Sequence, residues 1–350
     1  MPLPRLRLVT PLVIALFGLG ASVLGTGVRS DGPVLSLLVS AGGAPAAAQL
    51  SRTPGATRFQ SAGAGIGRAD HFRAGSVTKS LLATVVLQLS AEGALRLDDT
   101  VERWLPGLVR GHGNDGRRLT VRALLTHTSG LYDYTADRSA PAPTTPRAAV
   151  RVALARTPGP AGDYAYSNTD YVLLGLIIRQ VTGRSYAAEA ERRVIVPLGL
   201  TGTSFPGSRT TLPDPHGRAY SRTSGPDGPL SDVTDLDPRT AGAAGELIST
   251  LDDLDRFYSA LLDGELLAPA QRRELLDTRA THGVYGMGVY PQRLSCGVTV
   301  WGHNGRIAGS YVRTATTADG RHTLSYRIDT DALTDDSLEP ALLDAEFCGS

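Results

Sequence analysis

Lysine is almost missing from this sequence: of the 35 basic side chains counted as Lys plus Arg, all but Lys79 are arginine. Cysteine is scarce too. Cys296 and Cys348 are the only two, which excludes a disulfide-dense scaffold and a four-cysteine zinc site. None of the seven histidines shows ligand spacing, so no metal and no cofactor is expected. Acids and bases are interspersed to a formal charge of +1. There is no basic stripe for nucleic acid and no polybasic cluster for anionic lipid, so no nucleic-acid partner is expected. Internal repeats are absent.

One long apolar run exists, and it lies at the start. Arg5 and Arg7 precede an apolar or small stretch from Leu8 to Val28, broken by Pro11 and several glycines and ended by Arg29 and Asp31. A charged head followed by about 20 apolar residues reads as an export signal, with an uncleaved anchor as the alternative. No small-x-small cleavage site follows it. Residues 1–29 are therefore assigned to a signal peptide or N-terminal anchor and 30–350 to one domain. The protein is expected to be secreted, or else anchored on the outer face of the cytoplasmic membrane. Export permits Cys296 and Cys348 to form one disulfide, worth about 4 kcal/mol in loop entropy. Two unrelated buried thiols are the alternative.

What remains is rich enough for a sizeable core: 350 residues, 41% hydrophobic, with 40 glycines and 22 prolines to turn the chain. Ala44 to Leu50 and Thr57 to Ala62 read as strands turning at Pro54-Gly55. Ser76 to Leu89, "SVTKSLLATVVLQL", is apolar on nearly all sides and reads as a buried helix. Thr120 caps a short helix to Leu125, and Thr145-Pro146 opens one to about Arg156. Asn168 or Thr169 starts another that ends at Gly183, and Ser185 starts a further one. Residues 205–238 read as a long surface connection. Thr250 and Asp253 sit at N-cap and N3 of a helix that stops before Gly264. From Val284 the pattern turns to strands, "VYGMGVY", "SCGVTVWG", "GSYVRTATT" and "RHTLSYRI", with Asp319-Gly320 as a hairpin turn. A last helix is expected near Asp335 to Glu346. The order implies an α+β fold: an antiparallel β-sheet flanked by helices, with a mostly α-helical inserted subdomain. The sheet part covers about 30–75 and 246–350, the helical part about 76–245, and a cleft is expected where they meet.

The single lysine falls in "AGSVTKS", three residues after Ser76. Positions i and i+3 of a helix share a face, so hydroxyl and amine can meet. A serine hydroxyl is a weak nucleophile until something takes its proton. A buried lysine can lose its charge and do so; arginine cannot. A serine three before a lysine also arises by chance, but a buried apolar helix is a poor place for a lysine without a role.

The segments "HFRAGSVTKSLLATVVLQLSAEGALRLDDTVERWLPG" and "LTVRALLTHTSGLYDY" strongly resemble the serine D-alanyl-D-alanine carboxypeptidases that share a fold with class C β-lactamases. The resemblance continues through "YAYSNTDYVLLGLIIRQVTG", "VPLGLTGTSF" and "SCGVTVWGHNG" to "EFCGS", covering nearly everything from about residue 40 onward. It implies the β-lactamase/DD-peptidase fold, and three motifs fall in the family's order. Ser76 and Lys79 form the first. Tyr166-Ser167-Asn168 matches the second, so Tyr166 is implied to relay protons, as a phenol held near its anionic form by the lysine, and Asn168 to hydrogen-bond the substrate amide. Read alone, a Tyr-x-Asn before a helix is a cap and a packed ring.

His303-Asn304-Gly305 matches the third motif, a basic residue, any residue, then glycine. His303 is implied to supply a polar or positive group to the cleft and Gly305 to let the substrate backbone lie close. The backbone N–H groups of Ser76 and Arg306 are implied to form the oxyanion hole. His127 in "LLTHTSGLYDY" invites a Ser-His-Asp reading, but the resemblance gives this segment as a structural turn under the cleft. The resemblance also implies a disulfide between Cys296 and Cys348, since members of the family join cysteines at these places. One departure stands out. The arginine that holds the substrate's terminal carboxylate aligns with Tyr290, which leaves Arg293 or Arg306 to replace it, and Arg306 is the expected one.

The activity so implied is an exported serine-type D-Ala-D-Ala carboxypeptidase. It would cleave the terminal D-alanine of a peptidoglycan stem peptide through an acyl-enzyme on Ser76, with β-lactams as acylating inhibitors, and act as a monomer. A β-lactamase or esterase with the same Ser-Lys-Tyr site is the alternative within the class, and a non-catalytic penicillin- or peptide-binding module the alternative outside it.

Overall fold

The computed structural model describes residues 33–349 apart from 64, 138–141, 226, 334 and 336, so the candidate export segment lies outside the described residues. No described helix is long and apolar enough to cross a membrane. The chain opens with α1 (Pro33–Ser40), unforeseen from the sequence, and the expected hairpin of β1 (Ala46–Thr53) and β2 (Ala56–Gly63). The C-terminal third supplies β3 (Tyr290–Arg293), β4 (Thr299–Ile307), β5 (Ser310–Thr317) and β6 (Thr323–Ile328). These six strands form one antiparallel sheet in the order β2-β1-β6-β5-β4-β3, so the two chain ends meet where β1 pairs with β6. That is the α+β arrangement expected.

Strand alternation sorts the two faces. Val300, Tyr311, Ala315, Leu324, Tyr326 and Ile328 point to one face and pack on Leu35 and Leu38 of α1 and on Leu338, Leu342 and Leu343 of α5 (Leu338–Phe347). The other face carries α4 (Leu251–Asp263), with α2 (Thr78–Ala91) and α3 (Asn168–Thr182) beyond it in the larger core. Leu254, Phe257, Tyr258 and Leu261 of α4 are buried at the spacing of one helical stripe. Helix α2 is buried from Thr78 to Leu87, as its all-round apolar pattern required.

The local signals hold. Thr120, Thr145, Ser185 and Thr250 each accept the N–H three residues on, and Gly183 and Gly264 end their helices with φ of 73° and 95°. Three expectations change. Asp253 does not reciprocate the Thr250 cap, because its carboxylate accepts from Gly202 N–H at 2.9 Å and Thr203 Oγ1 at 2.7 Å instead. "VYGMGVY" is not a strand until Tyr290. Met287 N–H bonds the Leu275 carbonyl, Gly288 has φ of 75°, and a Cβ at Gly286 would lie 2.2 Å from the Leu275 oxygen, so this segment folds over the helix Pro269–Leu275. "SCG" before β4 is a turn, and Cys296 in it is bonded to Cys348 just past α5.

Candidate active site

Two glycines set the position of Ser76, the nucleophile expected from the sequence. The chain reaches Ser76 from a two-residue strand, Phe72–Arg73, paired with Ile248–Ser249. It then turns at Gly75, whose φ of 52° suits a residue without Cβ. A Cβ on Gly75 would lie 2.8 Å from Arg306 N, and one on Gly305 would lie 1.9 Å from the Ala74 carbonyl oxygen. Strand β4 and the start of α2 therefore press backbone against backbone. At Gly305, the residue expected to let a substrate lie close, the missing Cβ makes room for the chain that leads to Ser76. Thr78 Oγ1 ties the turn down, donating to Gly75 O at 2.6 Å and accepting from Leu247 N–H at 3.1 Å. Ser76 is left half-buried at a helix N-terminus, in a cleft of about 430 Å³ whose walls include Tyr134, Asn168, Thr240, Ala244, Gly245 and Arg306.

Lys79, fully buried, reaches three oxygens: Ser76 Oγ at 2.9 Å, Asn168 Oδ1 at 2.8 Å and the Ala244 carbonyl at 2.6 Å. Burial pulls its amine down to about 7, with Asp133 pulling the other way. A neutral amine has two hydrogens and one lone pair. The Asn168 and Ala244 oxygens accept the two hydrogens, so the lone pair faces the Ser76 hydroxyl. Tyr166 Oη lies 2.8 Å from the same Ser76 oxygen. Its phenol is not held near the anion. Burial pushes it up, and Nζ sits 4.9 Å from the ring centroid rather than on the oxygen. Asn168 is also committed: its Nδ2 donates to Asp133 Oδ2 at 3.0 Å and Thr135 Oγ1 at 3.1 Å, so this amide holds Lys79 while lining the cleft.

Of the polar or positive group expected at His303, the structure gives the polar, uncharged form. His303 is buried, its Nδ1 faces the Asn304 carbonyl at 2.5 Å and its Nε2 faces Tyr285 Oη at 2.8 Å. A carbonyl only accepts, so Nδ1 carries the hydrogen and Nε2 takes the Tyr285 proton. Burial and the nearby Lys79 hold the ring neutral, with its pKa down to about 3. Strand alternation sends His303 and Gly305 toward α2, and Asn304 and Arg306 to the opposite face. There Asn304 Nδ2 reaches Tyr311 Oη at 3.4 Å and the Arg306 guanidinium lies 5.4 Å from the Tyr311 ring centroid. Arg306 thus lines the cleft but leans its charge on an aromatic ring. Arg293 stands exposed on β3 and is not among the cleft-lining residues. Tyr290 stacks on Tyr285 (centroids 6.3 Å apart) and beneath the buried Arg313 guanidinium at 4.4 Å.

Several residues of the site were not singled out from the sequence: Asp133, which holds Asn168; Tyr285, which fixes the His303 tautomer; and Asp170, 2.9 Å from His127 Nδ1. Asp133 and His127 both lie in the quoted "LLTHTSGLYDY", which the fold brings against the Tyr166-Ser167-Asn168 motif 35 to 40 residues later. Tyr285 carried no signal, because its partner is a strand away.

A family model described as Beta-lactamase matches residues 34–323. A putative penicillin-binding protein, PbpX, of Bacillus subtilis (strain 168) is 29% identical over 63% of this chain, and the match spans only 53% of that relative. Among solved structures, a D-stereospecific amidohydrolase from Streptomyces sp. is 43% identical, with a TM-score of 0.84 over 91% of this chain and 97% of its own. A D-amino acid amidase from Ochrobactrum anthropi SV3 is 26% identical, with a TM-score of 0.77 over 89% and 96%. The family model covers the span from α1 to the start of β6, including every motif that brings a side chain to the Ser76 oxygen, and the chain belongs to the Beta-lactamase family, the penicillin-recognising serine hydrolases.

Proposed function

We propose that the protein, acting after export, opens the amide bond of a D-configured residue through an ester on Ser76. The hydrolase part rests on one observation: Lys79 Nζ and Tyr166 Oη meet at the Ser76 oxygen from 2.9 and 2.8 Å. The neutral amine takes the Ser76 proton as the oxygen attacks the carbonyl carbon. The phenol, still protonated because burial raises it, gives its hydrogen to the leaving nitrogen. The proton removed and the proton delivered belong to one relay centred on the Ser76 oxygen. The backbone N–H groups of Ser76 and Arg306, brought together by Gly75 and Gly305, are proposed to bind the oxyanion. Water then cleaves the ester by the reverse route.

The choice of substrate is supported by the two amidohydrolase neighbours and by the site itself. The place where a carboxypeptidase keeps its carboxylate-binding arginine holds Tyr290, packed between Tyr285 and Arg313. A D-amino acid amide has no terminal carboxylate to hold. A second reading, a D-Ala-D-Ala carboxypeptidase, is favoured by Arg306 at the cleft wall. β-Lactams are expected to acylate Ser76 in either case, and a short-lived adduct would point to a β-lactamase.

Mass spectrometry after incubation with penicillin, a D-amino acid amide and a D-Ala-D-Ala peptide tests this. A Ser76 adduct with penicillin, lost in Ser76→Ala, and faster turnover of the D-amide than of its L-form or of the peptide are expected. Preference for the peptide, falling in Arg306→Ala, would establish the carboxypeptidase instead. Absence of any Ser76-dependent adduct or turnover would leave a binding module.

A further inference from the structure

His127 and Asp170 lie fully buried beneath the cleft and take no part in the steps above. His127 is held with φ of 56°, a left-handed backbone that is rare outside glycine. The hydrogen bonds around it fix where a proton must be. Ser167 N–H, whose direction the backbone sets, points at His127 Nδ1 from 3.3 Å. A ring nitrogen that accepts a hydrogen bond carries no hydrogen of its own. Asp170 Oδ2 nevertheless lies 2.9 Å from that nitrogen. Two lone pairs at such a distance repel unless one atom is protonated, and Nδ1 is not, so Oδ2 is. The other carboxyl oxygen accepts from Ser129 Oγ at 2.5 Å, which in turn accepts from Leu131 N–H at 3.0 Å. The ring hydrogen then belongs to Nε2, which has no hydrogen-bond partner among the described residues. The ring itself packs against Tyr166, Tyr285 and Tyr171, with centroids 4.3, 5.0 and 5.2 Å away.

We propose that Asp170 is kept as a neutral carboxylic acid donating to His127, a positioning pair that seats the Tyr166 ring and leaves no carboxylate ion under Lys79. This rests on the reading of Ser76, Lys79 and Tyr166 as the reacting groups. Burial drives the Asp170 carboxyl well up and the His127 ring well down, the directions the hydrogen bonds require. The groups that face Lys79 are the Tyr166 and Tyr171 rings, Asp133 through Asn168, the neutral His303, and this pair. Were Asp170 ionised, its charge would draw Lys79 toward the ammonium form, which cannot take the serine proton.

Asp170→Asn replaces the neutral acid by a neutral isostere, whose amide can donate to Nδ1 and accept from Ser129. The rate of penicillin acylation is expected to keep the parent's pH inflection in this variant. The infrared difference between wild type and variant, taken where exposed carboxylates are ionised, is expected to show the carbonyl stretch of a protonated carboxyl. An inflection moved down by about one unit or more, as loss of an ion would cause, overturns the proposal. So does a difference spectrum without that band. If the variant does not fold, ¹⁵N NMR of the wild type decides: His127 carries its hydrogen on Nε2 and His303 on Nδ1, and a hydrogen on Nδ1 of both buried rings overturns the proposal. A wild type that penicillin fails to acylate would sink the assignment of reacting groups, yet the infrared and NMR results would still decide on Asp170.

Discussion

At the scale of single residues, the chain's lone lysine occupies a position where a permanent charge would be trapped. Lys79 is fully buried among neutral acceptors, and its pKa falls to about 7 from the 10.5 of an ordinary lysine. The sign of the pH dependence follows. Above about 7 the folded amine is neutral and can accept the Ser76 proton, so kcat/KM rises through that pH and falls away below it. Between about 7 and 10.5 the unfolded chain binds a proton here that the folded chain does not. This site's contribution to stability is therefore present above 10.5 and is lost as the pH drops to 7. A guanidinium stays charged throughout. Lys79→Arg is expected to lower the rate of Ser76 acylation by about 10²–10⁴-fold, the usual worth of a general base. Parent-like acylation kinetics in that variant would remove Lys79 from the mechanism.

At the scale of elements, the site exists because β4 and the start of α2 touch without side chains between them. Gly305→Ala would put a methyl group 1.9 Å from the Ala74 oxygen, so strand and turn must part. The expected cost is about 1–3 kcal/mol of stability, typical of overpacking, together with slower acylation as Ser76 and the Arg306 N–H separate. Gly302→Ala is the control. Its methyl would meet the Thr314 oxygen, also at 1.9 Å, but within the sheet and away from Ser76. A comparable loss of melting temperature with a smaller loss of acylation is expected there. Equal effects of the two variants on acylation would show that the contact at Gly305 has no special bearing on the nucleophile. This contact also marks what the sequence could convey. Caps at Thr120, Thr145 and Thr250 were legible because donor and acceptor lie three residues apart. Gly305 was legible as a required glycine but not for its reason, since Ala74 is distant in the chain. Likewise the third motif marked His303, but the Tyr285 hydroxyl and the burial that make it neutral come from elsewhere in the fold.

At the scale of the whole molecule, the sheet separates two tasks. One face and its edge carry α2, α3, α4 and the cleft, and the other is sealed by α1 and α5. The disulfide belongs to the sealing side: Cys348 follows α5, and Cys296 lies in the turn before β4, 52 residues back. Its parity was readable in a two-cysteine sequence, whereas the partner layer was not, because α1 lies at the edge of the segment set aside as an export signal. In the chain-entropy account, closing a loop of this length contributes about 4 kcal/mol by restricting the unfolded chain. The bond touches neither Ser76 nor the residues that line the cleft. The double variant Cys296→Ser, Cys348→Ser is therefore expected to unfold at a clearly lower temperature and denaturant concentration, while its rate of penicillin acylation at a temperature where it remains folded stays that of the parent. A tenfold loss of acylation in the folded variant would mean that the turn before β4, held by this bond, sets the position of His303 and Gly305, and that the sheet does not isolate the site from its far side.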